Sequence, residues 1–199
     1  MLKGHPRGLL IAFFANMGER FGFYTMMAIL VMFLQAKYGL NAENAGYIYS
    51  TFYFLIYALA VLGGFLADRF TGLGKTILIG IVTMFAGYIL MALPMGLWVT
   101  LVGLFTIALG NGLFKGNLQA LVGNLYEDPK YAAKRDSAFS IFYMGINIGA
   151  FFAPSAAKWI RNWYLSTHNL KYNAALPELC HKQVAGKLAG DPALLQQFN

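Results

Sequence analysis

Five apolar stretches decide what this chain can fold into, because each reaches the length that crosses a bilayer. Spanning about 30 Å of hydrocarbon takes about 20 residues at about 1.5 Å per helical residue. The stretches cover approximately residues 8–36, 45–67, 76–93, 97–125 and 137–159. No water is available there to hydrogen-bond the backbone, and a helix satisfies its own N–H and C=O groups within one segment. Composition agrees: 58% of the 199 residues are hydrophobic and 12% are charged, against roughly 25% charged in a chain with a wetted surface. The expectation is an all-α membrane protein with five transmembrane helices.

The formal charge of +7 does not point to nucleic acid. Most Lys and Arg residues sit in short loops or the C-terminal tail, and no basic stripe or RNA-binding motif is present. Cys180 is the single cysteine, so neither an internal disulfide nor a multi-cysteine metal site is open to the chain. His181 beside it reads as half of a surface pair, and no metal is expected. The first apolar stretch is too long for a signal-peptide core and lacks a small-residue cleavage site, so it reads as a retained helix. Cationic loops set orientation. Lys3 and Arg7, then Arg69 and Lys75, then Lys130, Lys134 and Arg135 share one side, which makes the N-terminus cytoplasmic. Lys37 stands opposite, and only Lys158 and Arg161 count against this. Residues 163–199 hold no spanning segment and are expected outside the membrane, after a bundle covering residues 1–162.

Charge appears where it is expensive. Glu19, Arg20 and Lys115 fall near mid-span, each at about 2.5–3.5 kcal/mol on the insertion scale. That cost is tolerable when such groups face a polar cavity and pair with one another, and it marks an ion or substrate pathway. Asn16, Arg20, Phe23 and Met27 share one helix face at i, i+4, i+7 and i+11, with Glu19 and Tyr24 on its flanks. Tyr49, Tyr53 and Tyr57 form a phenolic stripe on the second segment. Tyr49 fits an interface anchor, whereas the deeper Tyr57 hydroxyl calls for a polar cavity. Small residues recur every fourth position as Ala108, Gly112, Gly116 and Ala120, and again as Gly145, Gly149, Ala153 and Ala157. Both rows read as close helix packing. Gly110-Asn111-Gly112 follows no strand and lacks the spacing of a phosphate loop.

Taken together, four motifs resemble the proton-coupled oligopeptide transporter family, a branch of the major facilitator superfamily. Asn16-Met-Gly-Glu19-Arg20-Phe21-Gly-Phe23-Tyr24 resembles its first-helix motif Glu-x-x-Glu-Arg-Phe-x-Tyr-Tyr. Gly63-Gly64-Phe65-Leu66-Ala67-Asp68-Arg69 with Gly72 is similar to the superfamily's loop 2–3 signature. Phe114-Lys115-Gly116-Asn117 resembles the helix 4 lysine motif. Phe142-Tyr143-Met144-Gly145-Ile146-Asn147-Ile148-Gly149 resembles the helix 5 signature. The matches run in order from about residue 12 to 155.

The resemblance implies two six-helix bundles around a central cavity, with helices 1 and 4 in equivalent places of two repeats. It implies import of di- and tripeptides by proton symport with alternating access, the proton being the coupling ion and no cofactor being needed. Glu19, Arg20 and Lys115 would carry proton coupling. Arg20, Tyr24, Tyr57, Lys115 and Asn147 would contact the peptide, and Gly64, Asp68, Arg69 and Gly72 would form the loop signature. By the same resemblance this is an N-terminal portion, an incomplete bundle whose partners are the bilayer, a sixth helix and a C-terminal bundle. A bacterial inner membrane is the expected location. The alternatives are a same-fold symporter for nitrate or a modified amino acid, or a truncated membrane protein that acts only by assembly. An enzyme is not expected, since His5, His168 and His181 lie outside the membrane core.

Asn16 replaces the motif's first glutamate, Phe23 a tyrosine, and Met27 an arginine of the outer gate region. With Asn16, helices 1 and 4 carry one carboxylate against two cations instead of a balanced four. Asn16→Glu in the full-length gene product is therefore expected to raise the proton-to-peptide ratio and move the pH profile toward neutral. Reversal potentials in reconstituted vesicles measure that ratio; equal ratios in both proteins would place Asn16 outside the coupling machinery.

Overall fold

The computed structural model describes residues 4–173 and 175–186. Five of its helices are long and apolar enough to cross a membrane: α1 (Arg7–Tyr38), α2 (Ala42–Leu66), α3 (Leu73–Ala92), α4 (Leu97–Asn124) and α6 (Arg135–Thr167). Two short helices, α5 (Pro129–Ala132) and α7 (Leu176–Val184), lie outside the spans. The chain is a multi-pass α-helical membrane protein, as its apolar stretches require. Large side chains turned outward from the spans, such as Ile11, Phe54, Val61, Phe85 and Phe151, give the surface the apolar character that lipid demands.

Local chemistry sets the ends. Gly39 closes α1 in the left-handed region (φ +66°), its N–H bonding Gln35 O at 2.9 Å, a conformation open to glycine at little cost. Two residues later the Asn41 side chain accepts from Asn44 N–H at 2.8 Å and caps α2. Such a short link makes α1 and α2 antiparallel neighbours. α2 runs into one wide turn over Ala67–Thr71, ended by Gly72 at φ +74°, whose N–H reaches back five residues to Ala67 O. The loop signature is thus a helix terminus that leaves Asp68 and Arg69 exposed.

Glycines decide how closely the spans approach. A Cβ on Gly110 of α4 would meet Gly80 O and Met84 N of α3 at 2.6 Å, and one on Gly87 of α3 would meet Gly103 O at 2.8 Å. Across the other face of α4, a Cβ on Gly112 would lie 2.6 Å from the Leu59 carbonyl carbon of α2. In α6 the row Gly145, Gly149, Ala153 and Ala157 is buried throughout, with Gly149 against Met17 O of α1. The molecule therefore consists of α2 and α3 packed on α4, beside α1 packed on α6.

Three expectations are corrected. The row on α4 packs only through Ala108 and Gly112; Gly116 and Ala120 are exposed, and nothing lies within 4 Å of a Cβ on Gly116. The tight contact to α3 comes instead from Gly103 and Gly110, a row set about 160° round the helix from Gly112's side. The last span does not end near residue 159 but continues to Thr167. Its 33 residues extend about 50 Å, longer than the hydrocarbon requires, with Trp159 and Trp163 stacked at 6.4 Å. His181 is more than a surface partner of Cys180. Its Nε2 lies 2.9 Å from Ala36 O and its ring packs on Gly39, while Leu179 is buried and Cys180 exposed.

Both ends of the bundle are tied. On the α7 side, Lys37 Nζ donates to Leu93 O at 3.0 Å and the Tyr38 hydroxyl to Met95 O at 3.2 Å, fixing α1 to the α3–α4 link. On the other, His5 Nδ1 lies 2.6 Å from the hydroxyl of buried Tyr126, and burial pushes that phenol above its ordinary value.

Gly110→Ala must push α3 and α4 apart, a change of the kind that costs about 1–3 kcal/mol, whereas Gly116→Ala meets open space. Thermal unfolding of the purified full-length gene product in detergent is expected to show a lowered midpoint for Gly110→Ala and none for Gly116→Ala.

Candidate substrate and proton site

Glu19 and Arg20 are chain neighbours on α1, yet their side chains converge. Arg20 grips the carboxylate with two N–H groups, Nε on Oε2 and Nη2 on Oε1, the latter at 2.6 Å. The two side chains are 5% and 8% exposed for Arg20 and Glu19, deep enough that neither could stand unpaired. A third donor comes from another span: Asn111 Nδ2 of α4 reaches Glu19 Oε1 at 2.9 Å. The guanidinium then lies 4.8 Å from the centroid of the Phe23 ring and 6.0 Å from that of Tyr24. Phe23, the departure from the motif's tyrosine, is buried against Phe52 of α2, where a hydroxyl would need a partner.

Lys115 sits one turn beyond Asn111 on α4. Its ammonium does not pair with Glu19, as was expected of three mid-span charges. Glu19 pairs with Arg20, and at the periphery Glu178 pairs with Lys182. Lys115 Nζ instead lies 4.7 Å from the centroid of the Tyr57 ring, where the π-face attracts a cation. The tyrosine stripe continues outward, with the Tyr53 and Tyr57 hydroxyls 3.3 Å apart and the Tyr49 and Tyr53 rings stacked at 6.3 Å. Tyr57 is 52% exposed, so its hydroxyl is open to a solute on the side of α2 that also presents Lys115.

The predicted residues fall into two groups. Glu19, Arg20 and Tyr24 gather on α1, and Lys115 and Tyr57 meet between α4 and α2. Asn147 joins neither by a hydrogen bond. It is exposed on α6, two residues from both Gly145 and Gly149 and so on the side turned from α1. Asp68, Arg69 and Gly72 lie at the α2–α3 turn, with Gly64 in the last turn of α2. Met27 is half-buried, and Asn16 is buried with no hydrogen-bond partner for Nδ2 among the described residues.

Sequence reasoning missed Asn111. It was dismissed with its flanking glycines as part of a failed phosphate loop, although a mid-span amide four residues from a mid-span lysine already signals a buried polar contact. Asn117, within the lysine motif, is structural. It donates to Gly63 O at 3.0 Å and Leu113 O at 2.8 Å, bonding α4 to α2 where the glycines bring them together.

The bundle of apolar helices thus holds a buried carboxylate–guanidinium pair and a cation over an aromatic ring, and comparisons with known proteins give it a family. The POT family profile matches residues 74–176. A di-/tripeptide transporter of Lactococcus lactis subsp. lactis (strain IL1403) is 41% identical over 160 residues, covering 76% of this chain and 31% of the relative. The crystal structure of the peptide transporter POT in complex with sulfate superimposes with a TM-score of 0.73 at 38% identity, over 89% of this chain and 35% of that one. A POT family transporter in complex with a thioalcohol-conjugated peptide gives 0.73 at 36% identity, over 77% and 32%. The chain belongs to the POT family, whose matched relatives are transporters and not enzymes, and it spans about a third of the length of those relatives.

If the open Tyr57 hydroxyl meets the solute, Tyr57→Phe keeps the ring under Lys115 and removes one hydrogen bond, worth about 0.5–1.5 kcal/mol net. Apparent affinity of the full-length gene product for a dipeptide, measured by uptake competition, is expected to weaken by about two- to tenfold with insertion unchanged. An unaltered affinity would assign Tyr57 to supporting Lys115 alone.

Proposed function

We propose that this chain supplies spanning helices to a carrier that imports di- and tripeptides by proton symport and alternating access. Membership of the POT family, with peptide transporters among the relatives it matches, supports the substrate class. The observation that carries the mechanism is the unequal treatment of three charges: Glu19 is satisfied by Arg20 and Asn111, while among the described residues Lys115 has only a π-face.

A mid-span cation without a carboxylate is stabilised when an anion arrives, and a peptide's C-terminal carboxylate is such an anion. Protonation of a Glu19 oxygen would remove the charge that holds Arg20. The guanidinium would then be available to the same carboxylate, and deprotonation would restore the intramolecular pair and release the peptide. Tyr24 and Tyr57 border the two cations and would orient the backbone of the peptide. Asn147 would complete the contact from α6, while Gly64, Asp68, Arg69 and Gly72 would shape the turn at which helices shift between states. The cationic loops favour a cytoplasmic N-terminus, and the bacterial relatives favour an inner membrane. A second bundle would close the cavity.

Lys115→Ala removes the unpaired cation and leaves the Glu19–Arg20 pair untouched. In the full-length gene product we expect loss of peptide accumulation driven by a proton gradient, with counterflow exchange reduced less. Accumulation at the wild-type level would remove Lys115 from the coupling mechanism.

A further inference from the structure

The contact that no motif announced lies between α1 and α4. Asn111 is fully buried, and its amide is divided: Nδ2 donates to Glu19 Oε1 at 2.9 Å and approaches Met84 Sδ of α3 at 3.9 Å, while Oδ1 has no partner among the described residues. A carboxylate offers acceptors only, and an N–H aimed at it is their complement. An amide differs from other donors in carrying its complement on the same plane. A half-turn of the side chain about χ2 brings Oδ1 to Glu19, where it accepts the O–H of a protonated carboxyl. Asn111 is thus able to stay bonded to Glu19 in both states, by a charge-assisted bond to the carboxylate and a weaker neutral bond to the carboxyl.

The surroundings make this residue the one that matters. Arg20 holds Glu19 from its own helix, and Lys115 lies one turn along α4 over Tyr57. Tyr88, one turn from Met84 on α3, is mostly buried with no partner for its hydroxyl among the described residues, and Tyr53 lies beside Tyr57 on α2. Of these, Asn111 is the group that bonds Glu19 from a second helix. We infer that Asn111 is a positioning residue that sets the pH at which Glu19 takes up and releases its proton, and that transmits that event to α4 and Lys115. This rests on the proton-symport reading for its role in transport, but not for its effect on the carboxyl group.

The test therefore has two arms on the full-length gene product. Infrared titration in nanodiscs follows the carboxyl band of protonated Glu19, identified as the band missing from Glu19→Gln. Peptide uptake into vesicles gives the pH profile of transport. Asn111→Leu keeps approximate volume and removes the donor, so the protonated form persists further upward. Both midpoints are expected to rise by about one pH unit, the scale of one charge-assisted hydrogen bond. Asn111→Asp, nearly isosteric, replaces the donor with an acid and is expected to move the band in the same direction and further; it serves if the leucine variant fails to fold. An unmoved Glu19 band in the variant that folds overturns the inference, even where uptake falls equally at every pH as a packing defect would make it. A shifted band with uptake indifferent to a proton gradient upholds the role of Asn111 and overturns proton symport instead.

Discussion

A carboxylate and a guanidinium in the middle of a membrane protein impose conditions that everything around them has to meet. Alone, each would cost several kcal/mol to hold away from water, and even a bare pair recovers that cost only when its remaining donors and acceptors are filled. Glu19 and Arg20 meet the condition by doubling their own contact and by recruiting Asn111 from α4 and the faces of Phe23 and Tyr24. For the Asn111 amide to reach Glu19, α4 must lie close to α1, although the main packing of α4 is with α3 and α2. Apolar clusters also run across the two halves, one through Leu9, Phe114 and Phe142 and one through Phe23, Phe52 and Ile107, and the Asn111 bond adds a polar contact between them.

Backbone proximity makes that bond possible. Hydrocarbon gives no hydrophobic drive between helices, so helices associate through close packing. Gly103 and Gly110 seat α4 on α3, and Gly112 seats it against α2. Asn111 lies between two of these glycines, about 100° round from each, and is thereby aimed at α1 while its neighbours are pressed against other helices. The row on α6 performs the same service for α1. Substituting a larger residue in these rows would disturb the site through the distance between helices, without touching a charge.

Much of this could be read in the sequence. Apolar length gave five spans, and the four motifs gave a family that the comparisons establish. The failures share a cause: sequence spacing states which residues share a face but not which neighbour that face meets. Gly112 and Gly116 have the same spacing, yet only the first finds a helix opposite. Lys115 was expected near Glu19 because opposite charges attract; the intervening Arg20 already saturates the carboxylate, leaving the ammonium to Tyr57. The extension of α6 to Thr167 was hidden by Lys158 and Arg161, which lower apolarity without interrupting the helix. Asn111 was hidden by its own glycines, whose local pattern suggested a loop and whose role is packing.

The departure at position 16 acquires meaning from this geometry. Asn16 is buried one turn before Arg20 on the same face, so a glutamate there would contest Glu19 for the guanidinium. With a neutral amide, Arg20 has one carboxylate partner and binds it side-on through Nε–H and Nη2–H. The excess positive charge is thereby displaced from α1 to α4, where Lys115 carries it above an exposed aromatic ring. A carboxylate approaching the interior thus meets one cation already committed and one held only by a π-face, which is weaker than an ion pair in the same surroundings. In the proposed carrier that difference would give the two cations an order: Lys115 would be the first to receive an anion, and Arg20 would become free only after Glu19 gave up its charge.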